Sequence, residues 1–232
     1  MSQPRSHLES TVTDPARWKI LAVLLTAIFM SLMSVSVVNV ALVSIQDGLH
    51  ADLSDIQWIL SGYALTFGVV LVSAGRAGDL MGRGGFFIIG VLIFTLASIA
   101  AGLAPNADWL NAARFVQGVG SGLINPQGIG MIQQYFHGSE RGKAFGFFGT
   151  AVGVSVAIGP ALGGLLIHLG GAEIGWRLTF LINVPAGILT LILAWLWFPR
   201  PLLHKPRLQN QSSVMALDPI GAVLLGLPVL AV

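Results

Sequence analysis

Apolar residues run along this chain in six blocks, with polar residues gathered between them. A helix needs about 20 residues to cross the hydrocarbon of a bilayer, and each block is long enough. The blocks predict helices over 19–44, 56–74, 86–103, 109–133, 144–168 and 178–198. A seventh begins near Asp218-Pro219, where proline suits a first helical turn, and 218–232 holds only its start. What remains is a polar tail, 1–18, expected to be disordered, and a linker, 199–217. The predicted fold class is an all-α membrane bundle.

Composition agrees. The chain is 54% hydrophobic and 9% charged, where soluble domains carry about 25% charged residues. The net charge of +2 is spread over loops, so no nucleic-acid partner is expected. There is no cysteine, which excludes disulfides and thiol chemistry. No signal peptide is evident: residues 1–17 are polar, and the first apolar run is too long for a signal core.

Charge asymmetry sets the expected orientation. Arg5, Arg17, Lys19, Arg76, Arg83, Arg141, Lys143, Arg200, Lys205 and Arg207 all fall on one side of the predicted spans. Arg177 lies opposite and Arg114 is embedded. Basic loops stay cytoplasmic, so the N-terminus is expected inside, in a multi-pass protein of the cell (inner) membrane. Trp58, Trp109 and Trp176 mark the outer interface, and Trp18, Trp195 and Trp197 the inner one. Asp47, Asp52 and Asp55, in the first outer loop, read as solvated loop and cap acids. No loop could house a catalytic domain. No nucleophile–base pair, paired carboxylates or metal-ligand cluster stands at suitable spacing, so neither an enzyme nor a cofactor is expected.

Arg114 and Gln117 break the apolar pattern of the fourth helix. A guanidinium in hydrocarbon costs about 2.5–3.5 kcal/mol on insertion scales and cannot neutralise itself. It marks a transport pathway or gate, or it snorkels to the nearer surface, since it lies only about five residues past Trp109. Position alone does not choose. Gly118, Gly122, Pro126 and Gly130 recur every four residues on that helix, as do Gly149, Gly153, Ala157 and Ala161 on the fifth. Such stripes permit close backbone approach, as static packing or as a sliding surface. Gly159-Pro160 and Gly163-Gly164 predict a bend in the fifth helix. Between helices 2 and 3, Gly75 can end the second helix in a left-handed turn, and Asp79 and Arg83 face each other across a short turn with Gly82.

Together these segments resemble the major facilitator superfamily, and within it the drug:proton antiporter branch with fourteen predicted helices. Gly75-Arg-Ala-Gly-Asp79-Leu-Met-Gly82-Arg83 is similar to the loop 2–3 motif. Arg114-Phe-Val-Gln117-Gly118 is similar to the helix 4 motif, and Gly149 through Gly164 to the helix 5 antiporter motif. Gln57-Trp58 with Tyr63, the run from Trp176 through Asn183 to Pro185, and Asp218-Pro-Ile-Gly221 resemble that branch specifically. The resemblance implies two inverted three-helix repeats. It implies Arg114 facing a cavity and aiding proton coupling, and Asp79 meeting a helix of a second half. It implies partners as well: protons, a small amphipathic substrate, the lipid bilayer, and a C-terminal half as intramolecular partner.

Three departures stand out. Ser34 occupies the place of the acid that usually precedes Asn39 by five residues. Leu80 and Gly84-Gly85 replace basic residues of the loop motif. The chain stops about halfway through the expected protein. A proton-driven carrier needs a titrating group inside the membrane. None of Glu9, Asp14, Asp47, Asp52, Asp55, Asp79, Asp108, Glu140, Glu173 and Asp218 is embedded. His7, His50, His137, His168 and His204 lie at helix ends or in loops. The expected function is secondary-active, proton-coupled efflux of amphipathic drugs or metabolites by alternating access. The alternative is a truncated, non-transporting remnant or half-length interaction partner. Arg114 and Gln117 are the candidate coupling and gating residues, with Asp79, Arg83, Gly75 and Gly82 as the cytoplasmic lock. Gly159 and Pro160 would permit rocking. Ser34, Asn39, Gln57, Tyr63, Asn125 and Gln127 are candidate pore-lining groups, or else interhelical hydrogen bonds.

Overall fold

The computed structural model describes residues 16–200 and 202. All its regular structure is helical: α1 Ala16–Leu49, α2 Leu53–Met81, α3 Arg83–Gly102, α4 Ala107–Tyr135, α5 Gly138–Gly171 and α6 Glu173–Trp197. The predicted seventh helix and most of the predicted linker lie outside the described residues, as does the tail up to residue 15. Residues 16–18, expected in that tail, form the first turn of α1.

Every helix is longer than its apolar block. α1 has 34 residues, about 51 Å, against about 30 Å of hydrocarbon. Polar helix ends therefore project beyond the membrane, and hydropathy alone did not locate them. Two ends are set by local chemistry. Asp52 accepts from the Asp55 N–H at 2.8 Å while Asp55 accepts from the Asp52 N–H at 3.2 Å, a capping box that starts α2. Asn106 accepts from the Trp109 N–H at 2.8 Å and starts α4.

Three expectations are corrected here. Gly75 does not end α2: the helix runs on to Met81, and the break falls at Gly82, with φ 108°. The segment expected to be a loop is thus the last two turns of a helix. α5 runs past its expected end at 168 and breaks at Gly171, with φ 66° and ψ −169°, a conformation open essentially to glycine alone. Helix 6 accordingly starts at Glu173 rather than 178. Trp176 is no interfacial ring. It is buried (1% exposed) edge-on to Phe180, with the Arg177 guanidinium 4.3 Å from its ring centroid.

The packing has an exchanged symmetry. Taking α1–α3 and α4–α6 as repeats, the first helix of each lies against the second helix of the other, α1 on α5 and α4 on α2. Glycines permit both contacts. A Cβ on Gly118 would come within 2.5 Å of the Tyr63 carbonyl, and one on Gly122 within 3.0 Å of the Phe67 carbonyl. On the other pair, Gly163 faces the Val37 carbonyl, and Ser36 Oγ donates to the Val156 carbonyl at 3.0 Å. α3 closes on α4 through Gly90 and Gly120. The apolar core splits into two clusters. One is centred on Leu24, Ile28, Phe87, Phe94 and Phe136, the other on Ile45, Ile59, Leu110, Trp176 and Phe180.

Candidate functional site

α4 is the one helix of the six that falls short of a membrane span by composition, because polar residues recur along it. Those residues do not face outward. Arg114, Gln117, Ser121, Asn125 and Gln127 are all buried. They occupy faces that the glycines at 118, 120 and 122 bring against α2 and α3.

Arg114 lies about two turns into α4 and is 0% exposed, so it does not snorkel. Its Nε donates to the Ile59 carbonyl at 3.0 Å, and Nη1 donates to Gln117 Oε1 at 2.7 Å. The guanidinium lies 4.2 Å from the centroid of the Tyr63 ring. A cation on a desolvated aromatic face gains about 2 kcal/mol. Nη2 has no partner. Gln117 passes the interaction on: its Nε2 donates to Ser98 Oγ at 2.8 Å and lies 3.4 Å from Ser34 Oγ. Asn183 of α6 reaches the same Ser34 Oγ through Nδ2, also at 3.4 Å. Side chains or carbonyls of α1, α2, α3, α4 and α6 thus meet around one cation.

Tyr63 links this node to a second. Its hydroxyl lies 3.5 Å from Ser31 Oγ, which makes a short hydroxyl contact with Ser121. Asn125 Nδ2 donates to the Ser121 carbonyl at 2.9 Å and approaches Ser31 Oγ at 3.4 Å. Gln127 stands apart, with Nε2 donating to the Ala74 carbonyl at 2.6 Å across the α2–α4 seam. Of the six candidate pore-lining residues, Ser34, Tyr63, Asn125 and Gln127 are therefore buried in interhelical hydrogen bonds. Asn39 and Gln57 are exposed.

At the basic end, Arg83 pairs with Asp79 across the Gly82 break, and its Nη1 donates to the Pro126 carbonyl at 3.3 Å. Gly130 is the shelf under that guanidinium, and Gly75 packs against Pro126. A cleft of about 780 Å³ opens here, lined by Asp79, Arg83, Tyr135, Phe198 and Arg200 among others. At the same basic end, Arg17 pairs with Glu140 at 2.8 Å and joins the starts of α1 and α5. Arg141 caps the end of α4 through the Gln133 and Phe136 carbonyls.

The small residues of α5 separate onto two faces. Gly159 and Gly163 meet α1, whereas Gly149, Gly153 and Gly164 are exposed with open space where a Cβ would be. Pro160 is exposed as well. Four members of the node, Ser31, Ser98, Ser121 and Asn183, are not among the sequence candidates. Helical spacing pointed to some of them: Ser121 follows Gln117 and precedes Asn125 by four residues each, and Ser31 precedes Ser34 by three. Ser98 and Asn183 join only through tertiary packing.

Comparisons with known proteins point one way. A family model described as the Major Facilitator Superfamily matches residues 24–230. A protein named "Probable actinorhodin transporter", from Streptomyces coelicolor, is 41% identical over 91% of this chain and 36% of its own length. The Tetracenomycin C resistance and export protein of Streptomyces glaucescens is 35% identical over 75% of this chain and 32% of its own length. The chain thus spans about a third of the curated relatives it matches. Among solved structures, an inward-facing bacterial homolog of the human lysosomal transporter Spinster superposes with a TM-score of 0.71 at 21% identity. That match covers 87% of this chain and 47% of that one, and it shows the fold.

Proposed function

The chain belongs to the major facilitator superfamily, and from that membership we propose that it forms the N-terminal half of a proton-coupled exporter of amphipathic drugs or metabolites. The observation that carries the reading is the buried Arg114–Gln117 node. A fixed charge buried among neutral partners, in a node that draws on five helices, is an expensive way to build a static bundle. It suits a pathway whose occupancy changes. The names of two relatives, "Probable actinorhodin transporter" and "Tetracenomycin C resistance and export protein", support export of drugs or metabolites by similarity.

In this reading the basic end is cytoplasmic, in the cell membrane. Asp79 and Arg83, with Gly75 and Gly82, lock that side, and Gly159 and Pro160 ease the rocking of α5. A C-terminal half covers the exposed small-residue face of α5. Support comes from burial: the apolar stretches of α5 and α2 are mostly uncovered, whereas that of α1 is mostly buried. No described acid is buried, and this reading places the proton-carrying acid in that second half. The test is accumulation of a fluorescent cation in cells with and without the protein in its complete reading frame. Lower accumulation that a protonophore abolishes is expected; equal accumulation contradicts export of this class.

A further inference from the structure

Arg114 carries a full charge, and all its partners in the described residues are neutral: a carbonyl, an amide oxygen and an aromatic face. Every described acid is exposed or half-buried. Asp79 and Glu140 are engaged by Arg83 and Arg17. A buried charge without a counter-charge is strongly destabilising.

The hydrogen-bond count has a matching gap. The amide nitrogens of Gln117 and Asn183 both turn to Ser34 Oγ at 3.4 Å, longer than an ordinary bond. The other contact of the Gln117 amide is Ser98, whose hydroxyl already donates to the Phe94 carbonyl. Among the described residues, Arg114 Nη2 has no acceptor and Asn183 Oδ1 no donor. Turning the Asn183 amide over would give Ser34 an acceptor but leave the amide nitrogen unpaired, so the surplus of donors survives either orientation. A water molecule could fill hydrogen bonds here but not the missing charge. A cation would meet Arg114.

We propose that the node around Ser34 binds one small monovalent anion, which supplies the counter-charge that Arg114 lacks. A free halide and the carboxylate of a bound solute share this chemistry. The inference rests on the buried charge and does not require transport.

The test measures the unfolding midpoint of the purified full-length protein in sodium gluconate, sodium chloride and sodium benzoate at equal ionic strength. Chloride or benzoate is expected to raise the midpoint by about 4 °C or more over gluconate. The rise should vanish in Ser34→Asp, whose own carboxylate takes the place, and in Arg114→Gln, which removes the charge. A response to chloride identifies a free ion, and a response to benzoate alone identifies a solute carboxylate; both support the site. Equal midpoints in all three salts overturn it, as does a rise that persists in both variants. If neither variant folds, equilibrium dialysis of the wild type decides. About one labelled chloride or benzoate per chain supports the site, and neither bound overturns it.

Discussion

Around Arg114, single atoms decide what is possible. Gly118 lets α4 approach α2 until a Cβ would meet the Tyr63 carbonyl, and Tyr63 then lies under the guanidinium. Gly118→Val is expected to cost about 1–3 kcal/mol through overpacking, seen as a fall of several degrees in the unfolding midpoint. An unchanged midpoint would show that the seam can yield. Ser34→Asp should change the pH profile of transport in the complete protein, because a carboxylate would then titrate beside Gln117 and Asn183. An unaltered profile would remove coupling from this position. Arg114 and Gln117 were legible in the sequence because charge and amide stand out in an apolar run. Ser98 and Asn183 were not, since their roles come from helices brought together only by packing. The two readings of Arg114 separated for the same reason: exposure depends on what α2 and α1 place over it.

Helices show the same division. Apolar blocks located all six, but not where they stop. The residues at 75–81 looked like a loop because Gly75 and Gly78 are helix breakers on average. Here Gly78 lies against Gln127, where a Cβ would collide, and Gly75 rests in ordinary contact with Pro126, so packing overrides propensity. At Gly171 the conformation itself requires glycine, and Gly171→Ala should cost on the order of 1–3 kcal/mol, measurable as a lower midpoint. A midpoint within error of the wild type would mean the α5–α6 turn relaxes. On α5 the two faces give opposite expectations. Gly159→Val, against Ser36 of α1, should destabilise the bundle. Gly153→Val meets open space and should leave stability within about 0.5 kcal/mol, yet slow export if a second half packs there. Normal export by Gly153→Val would argue that this face meets only lipid.

For the molecule as a whole, the exchanged packing of α1 on α5 and α4 on α2 places the two repeats around one polar seam. Fold class followed from hydropathy, and family from several short motifs in order. The contacts that hydroxyls and amides make across this seam were not legible because periodicity does not fix which faces meet. The central claim is that Arg114 acts through its geometry as well as its charge. The most direct test is the efflux rate of a preloaded fluorescent cation from cells expressing the complete reading frame, wild type against Arg114→Lys at equal membrane abundance. Lysine keeps the charge but cannot reach the Ile59 carbonyl and Gln117 together as the guanidinium fork does. Loss of one charged hydrogen bond, about 1.5–3 kcal/mol, predicts efflux slower by about 10- to 100-fold. Efflux at the wild-type rate would contradict the account.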